Sequence, residues 1–285
     1  MENIEKWSSQ PYYQKEHWDS ESSHHIYKQE VSSWKAKEHP TRSSKGHHIL
    51  NDGHVDIQWK PEDGPNELFL ELLYNRIASS LGLHVTPTAA VVFDGKVGIG
   101  SVDTSTGMLS PVLYNEFIRW EDNSFVAEQF VFNIWLANND WGVNNYGNSY
   151  AITMSSSGAF VDAYGIDFGN TIFCPAGNFD EVSIGKLSNT FTIGGSERNF
   201  FGYEIFFKHI KKGLGFIDKI ESIKDSRIYL EAKSIARLLE EQIPIRRKQY
   251  HELALASARV LIERKNKLRN WIMNNLISPN INVIL

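Results

Sequence analysis

The stretch FVAEQFVFNIWLAN (residues 125–138), followed by NDWGVNN (139–145) and, further on, AFVDAYGIDFG (159–169), decides how this chain folds. Phe125, Val126, Phe130, Val131, Ile134, Trp135 and Leu136 cover most of a helix circumference, so their spacing predicts a helix buried on nearly every side. The polar run behind it is made of Asn, Asp and Gly, which are loop residues. SYAIT (149–153) and AFVD (159–162) read as two strands joined across a Ser/Gly turn. That hairpin brings the acidic turn of residues 166–169 back beside the loop, so that Asp140, Asn145 and Asp167 converge. A carboxylate base beside a carboxylate and an amide oxygen suits a hard cation and a phosphoryl group.

Composition narrows the field. The chain has 285 residues, 41% of them hydrophobic, enough for one or two packed cores. Charges of both signs are interspersed and sum to -5, so no direct nucleic-acid binding is expected. Cys174 is the single cysteine, which excludes an internal disulfide and points to a reducing compartment. The start, MENIEKWSSQPYYQKEHW, lacks the apolar core of a secretory signal, and no apolar run is long enough to cross a bilayer. The expectation is a cytoplasmic protein without membrane contact.

Upstream, residues 1–40 read as a leader that Trp7, Trp18 and Trp34 pin to the first lobe. His24, His25, His47, His48 and His54 lack a metal-ligand framework and read as solvated loop histidines. A hairpin follows, turning at Asn51-Asp52-Gly53. On its second strand Val55, Ile57 and Trp59 share one face, leaving Lys60 on the other, where a lysine can reach a phosphate or snorkel to water. GPNELFLELLYNRIASSLGL (64–83) has helical spacing with Gly82 as its stop, and Glu67 and Glu71 lie one turn apart on it. TPTAAVVFDGKVGIGSV (86–102) is a second hairpin turning at Asp94-Gly95, and SPVLYNEFI (110–118) is read as a strand between two lobes. Beyond Phe179 the pattern is helical. It runs through two short helices over residues 199–212 and 215–223, a third ending before Pro244, and a long amphipathic one over 246–277 whose Lys and Arg residues read as a solvated face.

In this order, a loop with Gly46, strand Lys60, a helix glutamate, N-D-x4-N and I-D-F-G resemble the HipA-like kinases, most closely their compact kinase-domain family. The resemblance covers about residues 43–277. GPNELFLELLYNRIASSLGL is similar to that family's helix and places its glutamate on Glu71. FVFNIWLANND is similar to its catalytic-loop helix and IDFGNTIFCPAGNF to its metal-binding turn. IPIRRKQYHELALASARVLIERKNKLRNWI is similar to its closing segment. After Asp140 this chain has Trp141-Gly142 where many HipA-type enzymes carry Arg-His.

The resemblance implies an α+β, bilobal protein-kinase-like fold: a small N-lobe with an antiparallel sheet plus a helix, and a larger, mostly helical C-lobe. The implied division is a leader over 1–40, an N-lobe over 41–118 and a C-lobe over 119–285. It implies ATP and Mg²⁺ as cofactors and a Ser or Thr hydroxyl of a protein as acceptor. Asp140 would orient or deprotonate that hydroxyl, and Asn145, with Asn144 as the alternative register, would ligate the metal. Asp167 would hold the metal against the phosphates, which Lys60, steadied by Glu71, would contact. Ser43, Ser44 and Gly46 would sit over the phosphates, the serines as sites of silencing autophosphorylation. An ATP-binding pseudokinase and a small-molecule kinase are the alternatives. Nothing in the residues supports an antitoxin-type partner.

Overall fold

The computed structural model describes residues 28–30, 34–38, 46–51, 56–62, 64–102, 107–138, 141, 150–169, 171, 180–189, 191 and 202–280. Its N-terminal part is a six-stranded sheet. The strands are β1 (Lys28–Glu30), β2 (Lys35–Glu38), β3 (His48–Asn51), β4 (Asp56–Pro61), β5 (Thr88–Phe93) and β6 (Lys96–Val102), in the spatial order β1-β5-β6-β4-β3-β2. All neighbours are antiparallel except β1, which runs parallel to β5. Two of these strands, β1 and β2, come from residues read as leader, and Trp34 packs against the core. The β5–β6 turn has positive φ at both Asp94 and Gly95, the conformation that an Asp-Gly hairpin turn supplies. In β4 the alternation holds: Ile57 and Trp59 are buried and Lys60 points to the other face. Between β4 and β5 runs α1 (Pro65–Ser80), which opens on Pro65 and closes at Gly82 in a left-handed conformation.

After Val102 the chain enters a three-stranded sheet, β7 (Gly107–Met108), β8 (Tyr150–Met154) and β9 (Phe160–Gly165). Between β7 and β8 lie α2 (Pro111–Arg119) and α3 (Phe125–Leu136). Residues 110–118, read as a strand, are therefore helical. Ser110 accepts a hydrogen bond from the Leu113 N–H as N-cap and Pro111 fills the first turn, a local start signal that outweighs the apolar run behind it. A boundary at 118/119 would cut this helix.

Helix α3 is buried from Val126 to Leu136. Around it stand α4 (Glu181–Asn189), α5 (Tyr203–Lys208), α6 (Ile210–Ser222), α7 (Asp225–Gln242) and α8 (Arg247–Ile272), the last continued by a π turn, Met273–Ile277. The break between the two short helices falls at His209, whose ring meets Asn123, earlier than residues 213–214.

The basic face of α8 is not wholly solvated. Arg264 is fully buried. Its guanidinium donates to Trp135 O at 2.6 Å and to Ile134 O, both at the end of α3, and to Leu187 O at 2.6 Å, at the end of α4. These are carbonyls that a helix C-terminus leaves without intrahelical donors, and a cation there also meets the negative end of the helix dipole. Lys265 is buried too, with its ammonium on Ile223 O and Asp225. His48 is likewise no loop residue: it lies on β3, its ring 5.8 Å from Trp59 and 5.4 Å from Phe93. His47 is buried, while His24, His25 and His54 lie outside the described residues. Arg264→Met should cost about 3 kcal/mol in urea unfolding, because buried carbonyls lose their donors at roughly 1–3 kcal/mol each.

Candidate active site

A strand, the helix that follows it and a turn 107 residues further on meet at Lys60. Its ammonium, at the end of β4, donates to Glu67 Oε1 of α1 at 2.8 Å and lies 3.5 Å from Asp167 Oδ1, which follows β9. The glutamate in direct contact is thus Glu67, one turn before Glu71, where the resemblance put it. Glu71 lies deeper, 3% exposed, and accepts the Gly169 backbone N–H.

Gly169 is required by this packing. A Cβ there would lie 2.7 Å from Glu67 Cγ and 3.2 Å from Glu71 Oε2, so a side chain at this point of IDFG would push α1 away. Asp167 itself has φ +59, a left-handed conformation that costs a non-glycine residue of order 1 kcal/mol. What fixes it lies on either side. Phe168 is buried edge-on against Phe132 of α3. Gly165 exchanges backbone hydrogen bonds with His84 and Thr86, and a Cβ there would strike Gln129 of α3 at 2.7 Å. Gln129 donates to His84 O at 2.8 Å, so the strand before Asp167, the loop after α1 and the central helix form one seam.

Helix α1 is anchored from behind. Arg76, buried, donates to Glu231 of α7, which also pairs with Arg227 at 2.6 Å. Glu62, just beyond Lys60, takes Arg246 and, at 3.3 Å, the Tyr250 hydroxyl.

The charges are unbalanced, with one ammonium facing three carboxylates. Burial alone would lower the Lys60 pKa, but the fields of Asp167, Glu71 and Glu67 prevail and raise it well above its ordinary value. Burial raises Glu71 to about 7; Lys60 opposes this, Asp167 and Glu67 add to it, and the Gly169 N–H opposes it. No group of three or more His, Cys, Asp or Glu side chains forms a metal cage among the described residues. A magnesium site made of one carboxylate, one amide and the ligand's own phosphate oxygens needs no such cage.

Asp140, Asn144, Asn145, Ser43 and Ser44 lie outside the described residues. Just before the loop, α3 ends with Ala137 at φ +53 and with Asn138 N–H on Asn133 O, while the Asn138 side chain donates to Asn133 Oδ1 at 2.8 Å. Trp141 is buried edge-on to Phe130. Gly46 has φ +74, and its carbonyl oxygen is 2.8 Å from His48 Nδ1. Reading from sequence missed Glu67 as the contacting carboxylate. Its place in the first turn, nearest the strand that delivers Lys60, was the available signal.

The six-stranded sheet with one helix, leading into a larger helical part, is an α+β, bilobal kinase-like fold. No protein-family model and no curated protein matches the sequence. Among solved structures, the chain is similar to the crystal structure of a Helicobacter pylori proinflammatory kinase, CtkA. The TM-score is 0.51 and the identity 17%, over 85% of this chain and 98% of that one. The likeness is one of fold. No helix among the described residues is long and apolar enough to cross a membrane.

The Glu71 shift has a stability consequence. A carboxyl raised from 4.5 to about 7 on folding binds more protons in the native state between those values, so stability falls as pH rises through that window. Compared with Glu71→Gln, the wild type should lose thermal stability progressively from about pH 4.5 to 7 and run parallel to the variant above that.

Proposed function

We propose that this protein is an ATP- and Mg²⁺-dependent kinase that transfers the γ-phosphoryl group to a hydroxyl, in the first place a Ser or Thr of a protein. The observation that carries the reading is the meeting of Lys60, Glu67 and Asp167 across 107 residues of chain, on the strand, helix and turn where a kinase-like fold needs them. The HipA-like motifs and the fold likeness to a kinase of known structure support it. A cytoplasmic location fits the composition.

The cluster also suits a divalent cation. Three carboxylates around one ammonium leave excess negative charge, and a carboxyl with a pKa near 7 is one that an added positive charge would ionise. Asp167, with Asn145 as partner, would hold Mg²⁺. When bound, Mg²⁺ supplies positive charge to the phosphate oxygens.

In the transfer, Lys60 holds nucleotide phosphates while Glu67 and Glu71 keep its ammonium charged and oriented. Asp140 orients the acceptor hydroxyl and takes its proton. The hydroxyl oxygen forms the new bond to the γ-phosphorus as the bond to the leaving diphosphate breaks, and ADP departs. Autophosphorylation at Ser43 or Ser44 would place a phosphate beside those of ATP and repel them.

With γ-labelled ATP and Mg²⁺, the purified protein should label itself or a protein of an added extract. Lys60→Met, Asp140→Asn and Asp167→Asn should each cut the rate by about 100-fold or more. Mapping should recover self-label at Ser43 or Ser44. Magnesium-dependent ATP binding with no label on any acceptor would instead indicate the pseudokinase, and label confined to metabolites the small-molecule kinase.

A further inference from the structure

Residues of α7 and α8 line a groove of about 1110 Å³ to which none of the cleft residues contributes. Helix α7 has two working faces. Ile228, Glu231, Ala232 and Ile235 turn inward, with Glu231 on the Arg76 of α1. Tyr229, Leu230, Lys233 and Arg237 turn outward and line the groove. Ala236 and Ala254, both small, form its floor where the helices approach. The turn Pro244–Arg246 closes one end, and Ile245 at its tip is 93% exposed.

The apolar exposure is concentrated. Eight large hydrophobic side chains are exposed among the described residues, and four of them, Tyr229, Leu230, Ile245 and Leu255, line this groove. A contiguous exposed apolar surface rimmed by polar residues marks a binding surface more often than scattered single residues do. Among the described residues Ile245 is an aliphatic side chain held out from the core on a proline-initiated turn.

The rim is basic. Lys233, Arg237, Arg247 and Lys248 stand on it against a single acid, Glu240, a basic surplus on a protein whose net charge is -5. Arg247 reaches the half-buried Glu240 at 3.5 Å, and Lys248 reaches Glu252 at 3.8 Å in an exposed pair. Lys233 and Arg237 have no acidic partner among the described residues. Beyond Tyr229 and Leu255 a smaller concavity is acidic on balance, with Asp180, Glu181 and Glu252 along it against Arg259, which pairs with Glu181 at 2.7 Å.

We propose that this groove docks an acidic amphipathic helix of a partner protein, outside the catalytic cleft. Its apolar stripe seats on Leu230, Tyr229, Ile245 and Leu255, and its carboxylates face Lys233 and Arg237. The part of α7 that lines the groove, from Ser226 to Glu240, spans about 22 Å, which a partner helix of about 16 residues, about 24 Å long, would cover. The acidic continuation sets the register, because it repels the partner's carboxylates and confines them to the basic half. Nucleic acid is disfavoured by the aliphatic lining of Leu230, Ile245 and Leu255 over the Ala236 and Ala254 floor, which leaves Tyr229 and His251 as the rings on which a base could stack.

The test uses the full chain as bait for a phage-displayed library of random peptides about 16 residues long. Recovered peptides should carry Asp or Glu together with Leu, Phe or Trp at helical spacing. Their affinity should fall about 10-fold or more in Lys233→Glu/Arg237→Glu and, separately, in Ile245→Asp. It should also weaken with salt. All three positions are outside the cleft and these side chains make no interior contact, so thermal unfolding should be unchanged in the variants. Failure to enrich any peptide would overturn the proposal, as would neutral or basic peptides, or acidic ones that bind the variants equally well. An RNA oligonucleotide bound in the same place, lost in the same variants, would assign the groove to nucleic acid. A concentration-dependent dimer that Ile245→Asp dissolves would assign it to a second copy. Either of these would overturn the proposal. Because the readout is binding, a chain without kinase activity can still pass or fail it.

Discussion

One ammonium holding three carboxylates together is the constraint on which the rest of this structure depends. Lys60, Glu67, Glu71 and Asp167 come from a strand, a helix and a turn of two different parts of the fold, and like charges of the three acids oppose their assembly. Their convergence therefore has to be enforced by packing. Lys60 is placed by the register of β4 against β6, where it faces Ile99. The glutamates are placed by α1, whose far side is tied to α7 through Arg76 and Glu231. Asp167 is placed by backbone, held in a left-handed conformation between the Gly165 seam and the buried Phe168.

A cluster of this kind is poor as a stabilising device. Burial of unbalanced charge costs several kcal/mol, and replacing such groups with apolar ones often stabilises a fold. Under the function proposed above, the surplus of carboxylates is what a divalent cation, and not the phosphates themselves, would offset. The polar groups at the end of the central helix are paired. Asn133 and Asn138 bond each other at the end of α3, and Arg264 closes the ends of α3 and α4 together. Rigidity there costs little, since α3 is buried all round. It holds the end of α3 from which the chain runs on toward Asp140.

Much of this was legible in the sequence because it rests on local signals. The apolar circumference of residues 125–136 marks a buried helix, Asp94-Gly95 a tight hairpin, and Gly82 a helix end, and each is found in the structure. Lys60 could be set opposite Ile57 and Trp59 by alternation alone. Other features are tertiary. Which of Glu67 and Glu71 meets Lys60 depends on where β4 delivers the lysine along α1, and helical spacing puts both on one face. Arg264 sits in a run, ERKNK, that looks solvated, and only the meeting of two helix C-termini explains its burial. Ser110-Pro111 was a readable helix start that the apolar alternation of the following residues obscured.

The central claim, that Lys60 and Asp167 belong to one nucleotide–metal site, is tested most directly by titrating ATP into the wild type, Lys60→Met and Asp167→Asn with and without Mg²⁺. The account requires binding to the wild type that depends on Mg²⁺ and weakens by about 10-fold or more in each variant, about 1.4 kcal/mol or more apiece. ATP binding that is indifferent to Mg²⁺, or that both variants retain at wild-type affinity, would contradict it, as would no binding at all.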